Sequence, residues 1–320
     1  MSNFAIKFSK TNLVHPIMHD HGHDHDHHGH GTGRAFAIGI ALNIGFVLAE
    51  WTCGVLANSL SLVADATHNF SDVLGLVLAW GASALARRPP SMRFTYGLRG
   101  STVLAALANA MLLLVATGGI AWEAILRVQN HGAVNAPVVI WVAALGVLIN
   151  AGTAMLFRTG RKTDLNIRGA YLHMAADAGV SLGVAVAGVG MLFTGWTWLD
   201  PVTSLLIVAV IFVGTWGLLR DSVKLALHAA PENVNPVDVR RYLAELPGVS
   251  ELHDLHIWAM STTETALTVH LMMPGGHPGD DFLAEVIREI EAEFHIGHAT
   301  IQIETGTSSN PCALAPEHVV

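Results

Sequence analysis

Two short stretches carry side chains whose types and spacing suit a metal ion. In Asp65-Ala66-Thr67-His68-Asn69-Phe70-Ser71-Asp72, an imidazole and a carboxylate stand four residues apart. In a helix His68 and Asp72 therefore project from one face, with Asp65 close to it. Further on, Tyr171-Leu172-His173-Met174-Ala175-Ala176-Asp177 repeats the H-x-x-x-D spacing. Both stretches sit in apolar surroundings, where an ionisable side chain at mid-membrane costs about 2.5–3.5 kcal/mol on insertion scales. Such groups persist when they find partners. Two imidazoles and two carboxylates on two helices make a tetrahedral N2O2 set for a divalent cation.

The elements that must position these residues follow from composition. The chain has 320 residues, of which 52% are hydrophobic and 13% charged, and a mean hydropathy of +0.46. That balance fits an α-helical membrane protein in a lipid bilayer. Six apolar segments, at about 34–57, 61–86, 101–124, 136–157, 172–195 and 200–219, each reach the roughly 20 residues needed to span. Arg87, Arg88, Arg93 and Arg99 lie between the second and third segments. Arg158, Arg161, Lys162 and Arg168 lie between the fourth and fifth, and Arg220 and Lys224 follow the sixth. The opposite loops carry only Arg127. The positive-inside rule thus places both termini in the cytoplasm, with Trp196 and Trp198 at the outer interface.

Within the spans, Asn43, Glu50 and Asn150 read as interhelical hydrogen-bonding groups. Gly179, Gly183 and Ala187 form a small-residue stripe that predicts close packing of the second and fifth helices. His173 and Asp177 fall nearer one end of their apolar segment than Asp72 does, so the fifth helix is expected to begin near Asn166 rather than at 172.

Residues 1–33 lack a signal peptide's apolar core, which leaves insertion to the first hydrophobic helix. Their tract His19–His30 alternates histidine with aspartate and glycine, predicting a disordered tail that collects metal weakly. The two cysteines, Cys53 and Cys312, match no disulfide or zinc-ribbon spacing. From Asp221 onward 15 acidic residues face 4 basic ones, which argues against nucleic acid as a partner of that part.

That region reads as a soluble α+β domain over 221–305, with a flexible tail over 306–320. Pattern and breakers predict a helix at 236–246, strands at 249–260 and 265–273, a helix at 280–294 and a strand at 299–304. The expected result is one antiparallel sheet covered by two helices, a ferredoxin- or metallochaperone-like αββαβ unit. Strand alternation puts Asp254, His256 and Trp258 on one face and His253 on the other. His270 lies on the next strand, and Gln302 and Glu304 on the last, with His298 just before. Three histidines and a carboxylate from these elements suffice for a zinc site.

The chain resembles the cation diffusion facilitator family, in its bacterial zinc-exporting branch. The resemblance rests on A-D-A-T-H-N-F-S-D, R-F-T-Y-G, G-A-Y-L-H-M-A-A-D, H-D-L-H-I-W and H-A-T-I-Q-I-E, and covers nearly the whole chain. It implies a homodimer that exports divalent metal in exchange for protons, and that is not an enzyme. It implies a Zn2+ transport site at His68, Asp72, His173 and Asp177. It further implies a Zn2+ site in the cytoplasmic domain at His256, His270, His298 and Glu304, and places Cys312 where some relatives reach a metal. Co2+, Cd2+ and Ni2+ remain open beside Zn2+. The run Leu98-Arg99-Gly100-Ser101-Thr102 departs from the family's usual continuation after Tyr-Gly, so the metal site some members build there is expected to be missing. Two other classes stay open: an intramembrane zinc metalloenzyme, with Asp65 as base, and a membrane metal sensor.

Overall fold

The computed structural model describes residues 44–130, 132–158, 165–306 and 312–316. The His/Asp-rich tract, the start of the first apolar segment, Arg161, Lys162 and most of the expected C-terminal tail lie outside the described residues.

A helix described over Ile44–Leu56 (α1) precedes five apolar helices long enough to cross a membrane. These are α2 (Leu60–Ala86), α3 (Ser101–Gln129), α4 (Ala136–Phe157), α5 (Leu165–Thr194) and α6 (Leu199–Ala226). Their outward surfaces are large and apolar, as at Leu56, Trp80 and Phe193, which are 80%, 77% and 83% exposed. In water such surfaces would drive aggregation, whereas in lipid they match the solvent. Among the described residues α4 packs along α5 and α3 along α6. Leu62 and Ala64 of α2, Val139 and Ala143 of α4, Val184 of α5 and Ile207 of α6 share one buried core.

The fifth helix is already helical at Leu165, well before 172, as the offset of His173 and Asp177 required. Its small-residue stripe does something other than expected. A methyl group added at Gly179 or Gly183 would meet nothing within 4 Å, so neither glycine supports a close helix contact. The close approach is at Gly188 instead, where an added Cβ would lie 2.9 Å from Ile140 of α4. α5 is therefore seated by α4, and it meets α2 over a short stretch.

The C-terminal unit runs α7 (Pro236–Ala244), β1 (Glu251–Ala259), β2 (Thr265–Met272), α8 (Asp280–Phe294) and β3 (His298–Glu304). Asn235 caps α7, and Pro236 takes the first helical position, where its missing N–H costs nothing. The sheet order is β1-β2-β3, with β1 antiparallel and β3 parallel to β2. The sheet is thus mixed rather than antiparallel, because α8 carries the chain back across the sheet before β3 begins. Val239, Leu243, Leu252, Leu267, Val286 and Ile290 lie in the core between one sheet face and the helices.

Candidate metal centres

The N-terminus of α2 is fixed by one buried carboxylate. Asp200, at the start of α6, accepts bonds from Ser59 Oγ at 2.5 Å, Ser61 Oγ at 2.6 Å, and the Leu60 and Ser61 amides at 2.7 and 3.3 Å. Asp200 is fully buried, although its sequence position beside Trp196 and Trp198 reads as interfacial. With α2 anchored there, His68 and Asp72 face α5 two and three turns along.

The structure brings all four expected membrane residues together. His68 Nε2 lies 3.8 Å from Asp72 Oδ2 and 3.6 Å from Asp177 Oδ1. His173 Nε2 lies 3.2 Å from Asp72 Oδ2 and 3.6 Å from Asp177 Oδ2. Tetrahedral zinc with bonds of about 2.05 Å sets neighbouring ligand atoms about 3.3 Å apart. The four separations run from 3.2 to 3.8 Å, those to Asp177 through its two different oxygens, and among the described residues Asp72, His173 and Asp177 form the group compact enough to hold one ion, with His68 beside it. The two imidazole rings stand edge to face with centroids 6.0 Å apart. Asp177 Oδ2 is buried with no hydrogen-bond partner, as a ligand atom awaiting a cation would be. Exposure is graded: the side chain of Asp177 is 3% accessible and that of His173 42%, so the cluster opens along its His173 edge.

A second cluster lies on the sheet face opposite the C-terminal core. His253 Nε2 is 3.4 Å and His270 Nδ1 2.9 Å from Glu304 Oε1, and Cys312 Sγ is 3.6 Å from His270 Nδ1. Among the described residues His253, His270, Glu304 and Cys312 form a group compact enough to hold one ion. Burial opposes the ionisation of Glu304, but the Cys312 hydrogen bond and the imidazoles of His253 and His270 prevail and hold its carboxyl below the usual range.

Of the expected set His256, His270, His298 and Glu304, the structure joins only His270 and Glu304. A β-bulge separates expectation from structure. His253 pairs with His270 and His256 with Thr268, so two residues of β1 stand opposite Val269 alone. Asp254 absorbs the extra residue with φ of 52°. The bulge carries His253 round to the ligand face that strict alternation denied it. His256 instead bonds Asp254 Oδ1 at 2.8 Å, while Asp254 Oδ2 lies 3.6 Å from His270 Nε2. His256 thus buttresses His270 through a carboxylate. His298 pairs with Ala266, whereas Gln302 stands opposite His270, which puts His298 about 13 Å along the strand. Its ring packs edge-on against Tyr96, centroids 5.6 Å apart, in the loop after α2. That loop and the start of α3 are pinned to the β1–β2 turn by the Arg99–Glu264 ion pair and by the Thr262 amide donating to Thr102 Oγ1 at 3.0 Å.

Sequence reasoning missed His253 and held Cys312 only through the resemblance. An aspartate inside a β-rich run was the available sign of a bulge, since Asp tolerates the left-handed region. Nothing in the sequence announced that Cys312 returns to the sheet.

The family profile described as "Cation efflux transmembrane domain" matches residues 36–225, and "Cation efflux protein, cytoplasmic domain" matches 231–306. The metal cation efflux system protein CzcD of Cupriavidus metallidurans is 36% identical over 279 residues, 87% of each chain. Zinc transporter ZitB of Escherichia coli is 36% identical over 262 residues, 81% of this chain and 83% of its own. A cadmium, cobalt and zinc/H(+)-K(+) antiporter of Bacillus subtilis is 31% identical over 287 residues, 87% of this chain and 90% of its own. The chain belongs to the cation efflux, or cation diffusion facilitator, family and is a divalent metal cation efflux transporter of the membrane, not an enzyme.

Proposed function

We propose that this transporter moves Zn2+ out of the cytoplasm across the inner membrane in exchange for protons, and that His68, Asp72, His173 and Asp177 hold the ion in transit. The observation that carries this reading is the set of four ligand separations between 3.2 and 3.8 Å. They lie near the edge length of a zinc tetrahedron, with Asp177 meeting each histidine through a different oxygen.

The donor set dictates how transport couples to protons. Zinc binds neutral imidazole and ionised carboxylate, so loading releases protons and protonation releases the metal. A cluster opened toward the cytoplasm, with both termini on that side, loads Zn2+ there. Once the helices rock to open it outward, a more acidic medium protonates the histidines and expels the ion. Two nitrogens and two carboxylate oxygens favour Zn2+ over Mg2+ or Mn2+ and also admit Co2+ and Cd2+. The names of the relatives, which include zinc, cadmium and cobalt, agree with that range. The four ligands close the coordination sphere, which removes the open position a zinc hydrolase needs.

In the C-terminal domain, His253, His270, Glu304 and Cys312 supply the donor types of a resident zinc site. Such an ion stabilises a unit of modest core, and the matched domain makes a homodimer the working assembly. Zinc flux into proteoliposomes under an imposed pH gradient tests the function. It should require the gradient, and it should vanish in Asp72→Ala and Asp177→Ala; flux that survived either change would refute the site.

A further inference from the structure

Behind the metal cluster lies a second set of acidic groups that metal ligation does not use. Glu50 of α1 and Asp65 of α2 are both fully buried. The carboxyl of Glu50 faces that of Asp65 and the amide of Asn69. Both oxygens of Glu50 and Oδ1 of Asp65 are buried without a hydrogen-bond partner of normal geometry. Asp65 Oδ2 accepts from Ser181 Oγ of α5 at 2.8 Å. Ser181 is one turn from Asp177, and Asp65 is three residues from His68, so this layer sits one turn along the bundle from the cluster.

Among the described residues of the helices around the pair, no Lys or Arg compensates it. The described parts of α1, α2 and α4 contain no Lys or Arg, and α5 contains only Arg168 near its start. Among the described residues, the titratable groups facing the pair are His68 of α2 and Asp177 of α5, while α4 presents Gly146 against Ser181 and carries no titratable residue. Two carboxyls brought face to face in a dry interior repel each other when both are ionised, and a shared proton relieves that repulsion.

We propose that Glu50 and Asp65 form a proton-binding site, distinct from the metal ligands, that holds one proton fewer when the cluster is filled than when it is empty. The coupling is electrostatic. An empty cluster leaves two negative aspartates one turn away, which favours a protonated pair. An arriving dication neutralises them, and one proton leaves the pair for water. When the metal departs, water returns a proton to the same oxygens. The pair thereby carries one of the protons exchanged for the cation. The inference rests on the reading of His68, Asp72, His173 and Asp177 as the cargo site.

Calorimetric titration of Zn2+ into the full chain, run in buffers of different ionisation enthalpy, counts the protons released per bound metal. Glu50→Gln and Asp65→Asn should each release about one proton fewer than the parent, and the double variant no fewer than either single one. In the parent, infrared difference spectra should lose a protonated-carboxyl C=O stretch on zinc addition, a readout that needs no variant to fold. An unchanged proton count in folded Glu50→Gln, or a parent spectrum without that loss, overturns the proposal. Asp177→Ala separates the two readings: retention of every bound zinc there defeats the cargo site. Loss of one zinc there, with a full proton count in Glu50→Gln, defeats only the carboxyl pair.

Discussion

The two candidate metal clusters differ in how their side chains are brought together. In the membrane, each helix contributes an imidazole and a carboxylate at a fixed four-residue interval, and only the meeting of two rigid rods remains to be arranged. On the sheet, His253, His270 and Glu304 come from three strands and Cys312 from beyond them, so register, a bulge and a chain return all have to agree. Helical spacing is a covalent consequence of the backbone period, whereas strand position depends on partners far away in sequence. The membrane cluster is therefore robust in placement and exposed to single losses. The sheet cluster has outer supports that tune it.

The largest test of that contrast sets the two clusters against each other in transport. Asp177→Asn keeps the shape and removes the charge, and should lower zinc flux by at least about 100-fold, because an amide cannot replace an ionised ligand in a closed set. His270→Ala should lower flux by less than about tenfold, since outer supports and regulatory metals modulate rather than carry the ion. Equal losses would erase the distinction between the two regions.

A smaller effect resolves the sheet cluster itself. In an Asp72→Ala/Asp177→Ala background, His253→Ala or His270→Ala should remove a metal from the C-terminal domain. His256→Ala should weaken that metal by about tenfold through Asp254, and His298→Ala should leave it unchanged. Competition titration with a chromophoric chelator reads all four. A strong effect at His298 would mean that its packing against Tyr96 breaks in the metal-bound protein.

These residues also show what was legible in the sequence. His68, Asp72, His173 and Asp177 were readable because a 3.6-residue period fixes which side chains share a face, and apolar surroundings made their polarity conspicuous. The αββαβ order was readable from breakers and amphipathic runs. The direction of β3 was not, since strand pairing is a non-local choice. His253 hid behind a bulge. Asp200 reads as interfacial beside Trp196 and Trp198, and Glu50 as one more interhelical hydrogen-bonding group, yet both are fully buried, one satisfied by four donors and the other facing Asp65. Burial of a polar residue depends on what packs over it, which periodicity does not reveal.

The anchoring groups offer two further tests of decreasing size. Asp200→Asn leaves donors at Ser59, Ser61 and the α2 amides without their charged acceptor, and should destabilise the fold by about 1–3 kcal/mol. Thermal unfolding in detergent should show this as a lowered midpoint. Glu264→Gln breaks the Arg99 ion pair between the membrane helices and the C-terminal domain. Both partners are more than one-third exposed, so the cost should stay below about 1 kcal/mol. A loss at Glu264 as large as that at Asp200 would show that the contact between the domains, rather than the packing within the bundle, carries the stability.

The most direct measurement compares zinc content and X-ray absorption for the full chain and for Asp72→Ala/Asp177→Ala, both loaded to saturation. The account predicts that the variant loses one zinc per chain. It also predicts that the difference spectrum contains four nitrogen and oxygen neighbours at about 2.0–2.1 Å, including imidazole, with no sulfur. Unchanged zinc content, or a sulfur shell in the difference, would contradict the assignment of the transported ion to His68, Asp72, His173 and Asp177.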